Sequence, residues 1–202
     1  MATTLEDIAR QVTACRNCDL CRTRHKAVPG EGPATAKIIF IGEAPGWNEN
    51  QQGRPFVGAA GQFLTELLAS IGLKRQDVYI TNVVKCQPPG NRDPLPDEIA
   101  ACGQYLDAQL ALLKPKMVVT LGRYSMARWF PNARISQIHG QPRKLDGVVY
   151  FPMYHPAAAL HQPSLRAIVE ADMLKIPRLL AELEQVEEAE QAPPPPQQLS
   201  LF

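Results

Sequence analysis

The chain has 202 residues, 45% of them hydrophobic, enough for one packed domain with an extension. No apolar run reaches membrane-spanning length, and the opening "MATTLEDIARQ" lacks the basic stretch and apolar core of a secretory leader, so a cytoplasmic protein without membrane contact is expected. The net charge of +1 hides an asymmetry: five of the 20 acids follow Ala181, where there is no Lys or Arg, so residues 1–181 carry 21 basic against 15 acidic groups, a body charge of +6. A basic body permits a polyanionic partner without demanding one.

A helix from about Leu5 to Ala14 is predicted first. It leads into Cys15, Cys18 and Cys21, spaced C-x2-C-x2-C. "KIIFIG" (37–42) is a short, nearly continuous apolar run, which suits a strand buried on both faces. It passes directly into "EAPGWNENQQGRPFVGAAGQ", a glycine-rich loop with Glu43 at the strand tip and an aromatic, Phe56, inside it. Glycines there allow the backbone to come close to a ligand. The spacing is neither a dinucleotide fingerprint nor a phosphate loop.

"GQFLTELLASIGL" puts Phe63, Leu64, Leu67, Leu68 and Ile71 on one helix face. "VYITNVV" (78–84) is the second strand, with a polar Asn82 inside it. Such an Asn is either a satisfied core residue or, being donor and acceptor at once, a group that reads a base edge. Cys86 and Cys102 follow, spaced C-x15-C, the latter inside a helix framed by Pro96 and Pro115. "KMVVTLG" (116–122) is the third strand, "GRYSMARWF" a helix, and "VVYFPMY" (148–154) the fourth strand. That strand ends at His155 and the small residues of "HPAAAL", read as a proline turn and loop. "SLRAIVEADMLKIPRLLAEL" closes the domain as a helix that Pro177 kinks or breaks.

Alternating strands and helices predict an α/β fold, a parallel sheet with helices on both faces. Ligands of such sheets sit beyond the C-terminal ends of the strands, so the informative residues follow Ile41, Val84, Leu121 and Met153. In a cytoplasmic chain the clustered cysteines argue for metal over disulfides, either zinc or an iron–sulfur cluster. Arg16, Arg22, Arg24, Lys26, Lys85 and Arg92 lie near them in sequence and form either a phosphate-gripping face or charged, solvated loops.

Taken together, "GEAPG…GRPFVGAAGQ", "TNVVKC", "HPAAAL" and the cysteine pairs resemble the family 4 uracil-DNA glycosylases, from roughly Cys15 to Leu180. The resemblance implies a three-layer α/β/α sandwich with a central four-stranded, mainly parallel sheet. It implies a [4Fe-4S] cluster on Cys15, Cys18, Cys86 and Cys102, with Cys21 spare. It also implies excision of uracil flipped out of DNA, leaving an abasic site. His155 would hydrogen-bond uracil O2, with the Gly42 amide near the same edge. Asn82 would read O4 and N3, and Phe56 would stack on the base. Glu43 would support the sugar cation or orient water, and Glu49 is a second carboxylate of the motif. Leu160 would enter the duplex as a wedge. Where the family is often acidic, this chain has Trp47-Asn48-Glu49-Asn50. A related group bonds covalently to abasic DNA through a histidine in an arginine-rich insertion. The short "QPPGNRDPLPDEIAA" between Cys86 and Cys102 has no histidine, which sets that chemistry aside. Two other readings of the same residues are a redox iron–sulfur protein and a DNA-binding module without activity.

The organisation read from sequence is a glycosylase domain (1–181), an acidic, proline-rich disordered linker (182–197) and a terminal peptide (198–202). That peptide, "QLSLF", resembles the segment by which bacterial replication and repair proteins dock on the sliding clamp, and so suggests a bacterial source. Gln198 would make polar contacts, and Leu199, Leu201 and Phe202 would be apolar anchors. With no surplus apolar helix stripe, a monomer is expected.

Overall fold

The computed structural model describes residues 4–191. Thr4 caps α1 (Leu5–Ala14): its hydroxyl accepts the Asp7 N–H, and Asp7 accepts the Thr4 N–H in return. In chain order follow α2 (Leu20–Thr23), β1 (Ile38–Gly42), α3 (Trp47–Gln52), α4 (Ala59–Ser70), β2 (Tyr79–Asn82), α5 (Pro96–Leu113) and β3 (Met117–Leu121). Then come α6 (Arg123–Ala127), α7 (Ile135–Ile138), β4 (Arg143–Leu145), β5 (Val148–Met153), α8 (Pro156–His161), α9 (Ser164–Met173) and α10 (Ile176–Gln191).

The sheet order is β2-β1-β3-β5-β4, and every pair is parallel except β4 with β5. Side chains alternate between two cores, as a period of two requires. Ile38, Phe40, Val78, Ile80, Met117, Val119, Phe151 and Met153 face α4, α8 and α9. Ile39, Ile41, Tyr79 and Val118 face α1 and α5. The sheet is therefore the middle of three layers, and both its faces are dry. That is why the central strands read as unbroken apolar runs.

The chain leaves β1 toward β2 on one side, then crosses back to β3 and β5 on the other. Right-handed crossovers in opposite directions put their helices on opposite faces, and α4 and α5 do lie on opposite faces. The reversal at β1 opens a crevice beyond the C-terminal strand ends.

Three elements differ from the sequence reading. The sheet has five strands instead of four. The extra one, β4, is an exposed, charged edge that makes a hairpin with β5 through Asp146 and Gly147, at φ 48° and 81°. The "HPAAAL" segment is helix α8, with Pro156 in its first turn and alanines inside it. Helix α10 continues to Gln191, so residues 182–191 of the expected disordered linker are helical. Arg178–Glu182 and Lys37–Glu184 ion pairs tie that stretch to itself and to the body. The rest of the linker and the 198–202 peptide lie outside the described residues. The break expected at Pro177 falls just before it, and the proline sits in the first turn of α10, where its missing N–H costs nothing. No helix among the described residues is long and apolar enough to cross a membrane.

Candidate active site

Because β1, β2, β3 and β5 are parallel, their C-terminal ends share one edge of the sheet. A cavity of about 380 Å³ opens there, lined by Glu43, Glu49, Phe56, Asn82, Asn91, Arg92, His155 and His161, among others. Most of the expected site residues thus meet, although they span more than a hundred positions of sequence. Gly42 ends β1, buried directly behind Phe56 and Asn82: a side chain on it would overlap both. Leu160 is 43% exposed on α8, beside the cavity-lining His161.

Asn82 is 1% exposed, and its Oδ1 has no hydrogen-bond partner. Thr120 Oγ1 is the other such atom among the described residues, but Thr120 does not line the cavity. A buried, unpaired amide oxygen costs about 1–3 kcal/mol unless a ligand satisfies it. The Asn82 backbone is fixed from below. Its carbonyl accepts Lys85 Nζ at 2.7 Å, and the same ammonium donates to Thr81 Oγ1 (2.6 Å) and Gln109 Oε1 (2.7 Å). Lys85 is thus no phosphate-gripping surface residue. It is 1% exposed, and burial pushes its pKa down to about 7.

His155 caps α8, and its Nδ1 accepts the Ala157 N–H at 3.1 Å. A backbone amide can only donate, so the ring proton of neutral His155 is on Nε2. Burial pushes its pKa down to about 4, with the Glu49 charge opposing. The imidazole is therefore a neutral donor at physiological pH. Phe56 stacks on it, centroids 5.5 Å apart and planes 27° off parallel.

Phe56 is held in a left-handed backbone conformation, φ 52°. A non-glycine residue there is strained, and three contacts impose it. Arg75 donates to the Phe56 and Pro55 carbonyls at 2.9 and 2.7 Å, while Glu31 anchors Arg75. Gly61 lets the Phe56 carbonyl sit where any Cβ would be. Glu49 is committed to the same loop: Oε2 accepts the Gly46 N–H, and Oε1 accepts those of Val57 and Gly58 at 2.8 and 2.9 Å. Asn50 Oδ1 accepts the His25 and Lys26 amides, tying α3 to the N-terminal segment. Glu43 projects past β1, and burial raises its pKa, helped by Asp93 and opposed by Arg123.

All five cysteines line a second pocket, on the α1–α5 face, with Val12, Leu20, Val84 and Tyr105. Among the described residues no three His, Cys, Asp or Glu side chains converge to hold a single metal ion. A cubane takes one thiolate per iron, so its sulfurs need not converge. The donor chemistry fits such a group. Apolar walls surround the sulfurs, and N–H groups already point at three of them: Arg24 Nη1 to Cys86 (3.1 Å), Lys85 N to Cys102 (3.3 Å) and Asn17 N to Cys15 (3.5 Å). Burial raises the Cys18, Cys86 and Cys102 thiols, the last to about 11, so a bound metal would be needed to make them thiolates. Arg24 also donates to the Val12, Thr13 and Cys15 carbonyls at the end of α1. It is a structural clamp, not part of a phosphate-gripping face.

Residues 29–183 match the model of the uracil DNA glycosylase superfamily. The chain is 50% identical over 185 residues to the type-4 uracil-DNA glycosylase of Sulfurisphaera tokodaii, covering 87% of this chain and 84% of that protein. It is 48% identical to the type-4 enzyme of Archaeoglobus fulgidus, covering 87% and 92%. It is 43% identical to that of Thermotoga maritima, covering 85% and 92%. The chain belongs to the type-4 uracil-DNA glycosylase family. The chain brings Glu43, Glu49, Phe56, Asn82 and His155 together at one sheet edge, where the strand-end rule placed the informative residues, and its cysteines in a separate pocket. Sequence reasoning missed the parts of this glycosylase fold that hold those residues in place. Arg75, Gln109 and the burial of Lys85 carry no local signal. Gly61 and the residues after Leu121 were legible, through the glycine spacing and the strand-end rule.

Proposed function

We propose that the chain flips uracil out of DNA into the Asn82–His155 cavity and hydrolyses its N-glycosidic bond, leaving an abasic site. The observation that carries this is the buried, unpaired Oδ1 of Asn82, a residue that lines the same cavity as His155. Uracil offers an N3–H donor beside an O4 acceptor. An Asn amide matches both, Oδ1 to N3–H and Nδ2 to O4. Cytosine offers an acceptor and a donor at those places and leaves both amide groups mismatched.

When the C1′–N1 bond breaks, its electron pair stays with uracil and positive charge develops on the sugar. The Nε2–H of neutral His155 donates to O2 of the forming anion. A neutral donor suits this step because it is fixed before the charge appears. The Glu43 carboxylate stabilises the sugar cation and accepts a proton from the water that adds to C1′; its raised pKa makes it the stronger base. Phe56 stacks on the extruded base, and Leu160 fills the space it leaves. Glu49 acts by holding the loop that presents Phe56.

A [4Fe-4S] cluster would be held by Cys15, Cys18, Cys86 and Cys102. It would serve as a structural cross-link between the segment after α1, the segment after β2 and helix α5. "QLSLF" would dock the enzyme on a sliding clamp, in keeping with a bacterial, cytoplasmic repair protein. A titration against the clamp tests this: equal binding by the full chain and a version ending at Pro196 removes the docking role.

The activity is tested on a uracil-containing oligonucleotide followed by alkaline cleavage of abasic sites. Strand scission dependent on the protein is expected. An intact strand with folded, brown protein would overturn the enzyme reading in favour of a redox or binding role.

A further inference from the structure

In the order β2-β1-β3-β5 the tip of β3 stands between those of β1 and β5, which carry Glu43 and His155. Gly122, the first residue past β3, is packed on His155. A Cβ on Gly122 would lie 3.1 Å from the His155 Cβ, and its N–H donates to Met153 O at 2.8 Å. The next residue is Arg123. Its side chain is 64% exposed, and Nη2 donates at 2.5 Å to Asp93 Oδ2, on a side chain that is 57% exposed. Its guanidinium carbon lies 4.8 Å from the Tyr124 ring centroid. The charges of Arg123 and Asp93 both reach Glu43. An ion pair this exposed adds little to stability, so the fold does not account for it.

We propose that Arg123 grips a backbone phosphate of the strand that carries uracil, and that Asp93 holds the guanidinium in place until that phosphate displaces it. The proposal rests on the glycosylase reading and extends it from the base to the DNA backbone. A flipped nucleotide brings its base to Asn82 and His155 and its sugar to Glu43. Its phosphates flank that sugar, and the β3 tip is the part of the sheet edge between those groups. Carboxylate and phosphate present similar oxygen pairs to the planar guanidinium fork, so the one can stand in for the other. Arg123 would orient the nucleotide without touching the bond that breaks.

The test is binding of the full chain to an oligonucleotide carrying 2′-fluoro-arabino-uridine, whose fluorine resists sugar cation formation, measured across a range of salt. Uracil release from the normal substrate is measured alongside. Arg123→Ala should bind about 10-fold weaker at low salt, and its plot of log affinity against log salt should be shallower by about 1. Arg123→Lys should keep the wild-type slope, because the charge remains. Asp93→Asn should bind more tightly at low salt, because no carboxylate competes. A wild-type slope in Arg123→Ala overturns the proposal, even if its excision slows. Failure of wild type to release uracil would instead sink the glycosylase reading, and the slope comparison would still judge the phosphate contact.

Discussion

His155 and Asn82 owe their chemistry to their surroundings more than to their residue type. A lone His or Asn in a sequence is more often structural than functional. Here a backbone amide takes His155 Nδ1 and leaves the proton on Nε2, while burial keeps the ring neutral. Removing that donor as His155→Ala should slow kcat about 10²–10³-fold with little change in KM, because the bond strengthens as charge develops. Single-turnover kinetics check this. The pH dependence has a definite sign. The folded pKa of about 4 lies below the ordinary 6.5, so between these values the unfolded chain binds more protons and stability falls as pH falls. Denaturation at pH 7 and pH 4.5 should show a loss of about 2–3 kcal/mol in wild type that His155→Gln lacks. By the same argument the rate should show no inflection at 6.5 that His155→Gln abolishes.

At the scale of elements, the site is built from strand tips braced by distant residues. Apolar runs were legible as strands because buried parallel strands need no polar alternation. The motifs at their ends were legible because glycine, proline and polar residues cluster there. Strand β4 was not legible from hydrophobicity, since Arg143-Lys144-Leu145 is exposed; its signal was the Asp146-Gly147 turn. Helix α8 was misread because a proline followed by alanines reads as a turn, yet both belong to a helix start capped by His155. The Phe56 loop makes the dependence on bracing testable. Gly61→Ala would drive a methyl into the Phe56 carbonyl. It should cost more than about 2 kcal/mol and lower kcat as Phe56 leaves the His155 ring. Gly147→Ala, at φ 81° in the distant hairpin, should cost about 1–2 kcal/mol and leave excision intact. Thermal melts with parallel excision assays separate the two.

Across the whole molecule, two cores flank one sheet, and each serves a different site. The cavity at the strand tips meets α4 and α8 through Ala60, Ala157 and His161, and the cysteine pocket lies on the α1–α5 face. The segment from Asn82 to Cys86 joins them: Lys85 supports the Asn82 carbonyl with its side chain and meets Cys102 with its amide. Loss of a ligand of the proposed cluster should therefore disturb more than its own pocket. Cys86→Ser should give colourless protein with a lower melting temperature, and its kcat should fall as the Asn82 segment loosens. A colourless, zinc-containing wild type with normal activity would remove the cluster and leave the glycosylase assignment standing. The sequence suggested the cysteine pairing through resemblance. It could not reveal that Lys85, between two cysteine-rich stretches, is a buried support.

The central claim is that Asn82 selects the base. Single-turnover excision by wild type and Asn82→Asp, on matched oligonucleotides carrying uracil or cytosine, tests it most directly. Wild type should release uracil and leave cytosine. Asn82→Asp, which has lost the donor to O4, should release uracil at least about 100-fold more slowly and narrow the preference between the two bases. Unchanged rates and unchanged preference in Asn82→Asp would contradict the account, because the unpaired amide would then not be the group that reads uracil.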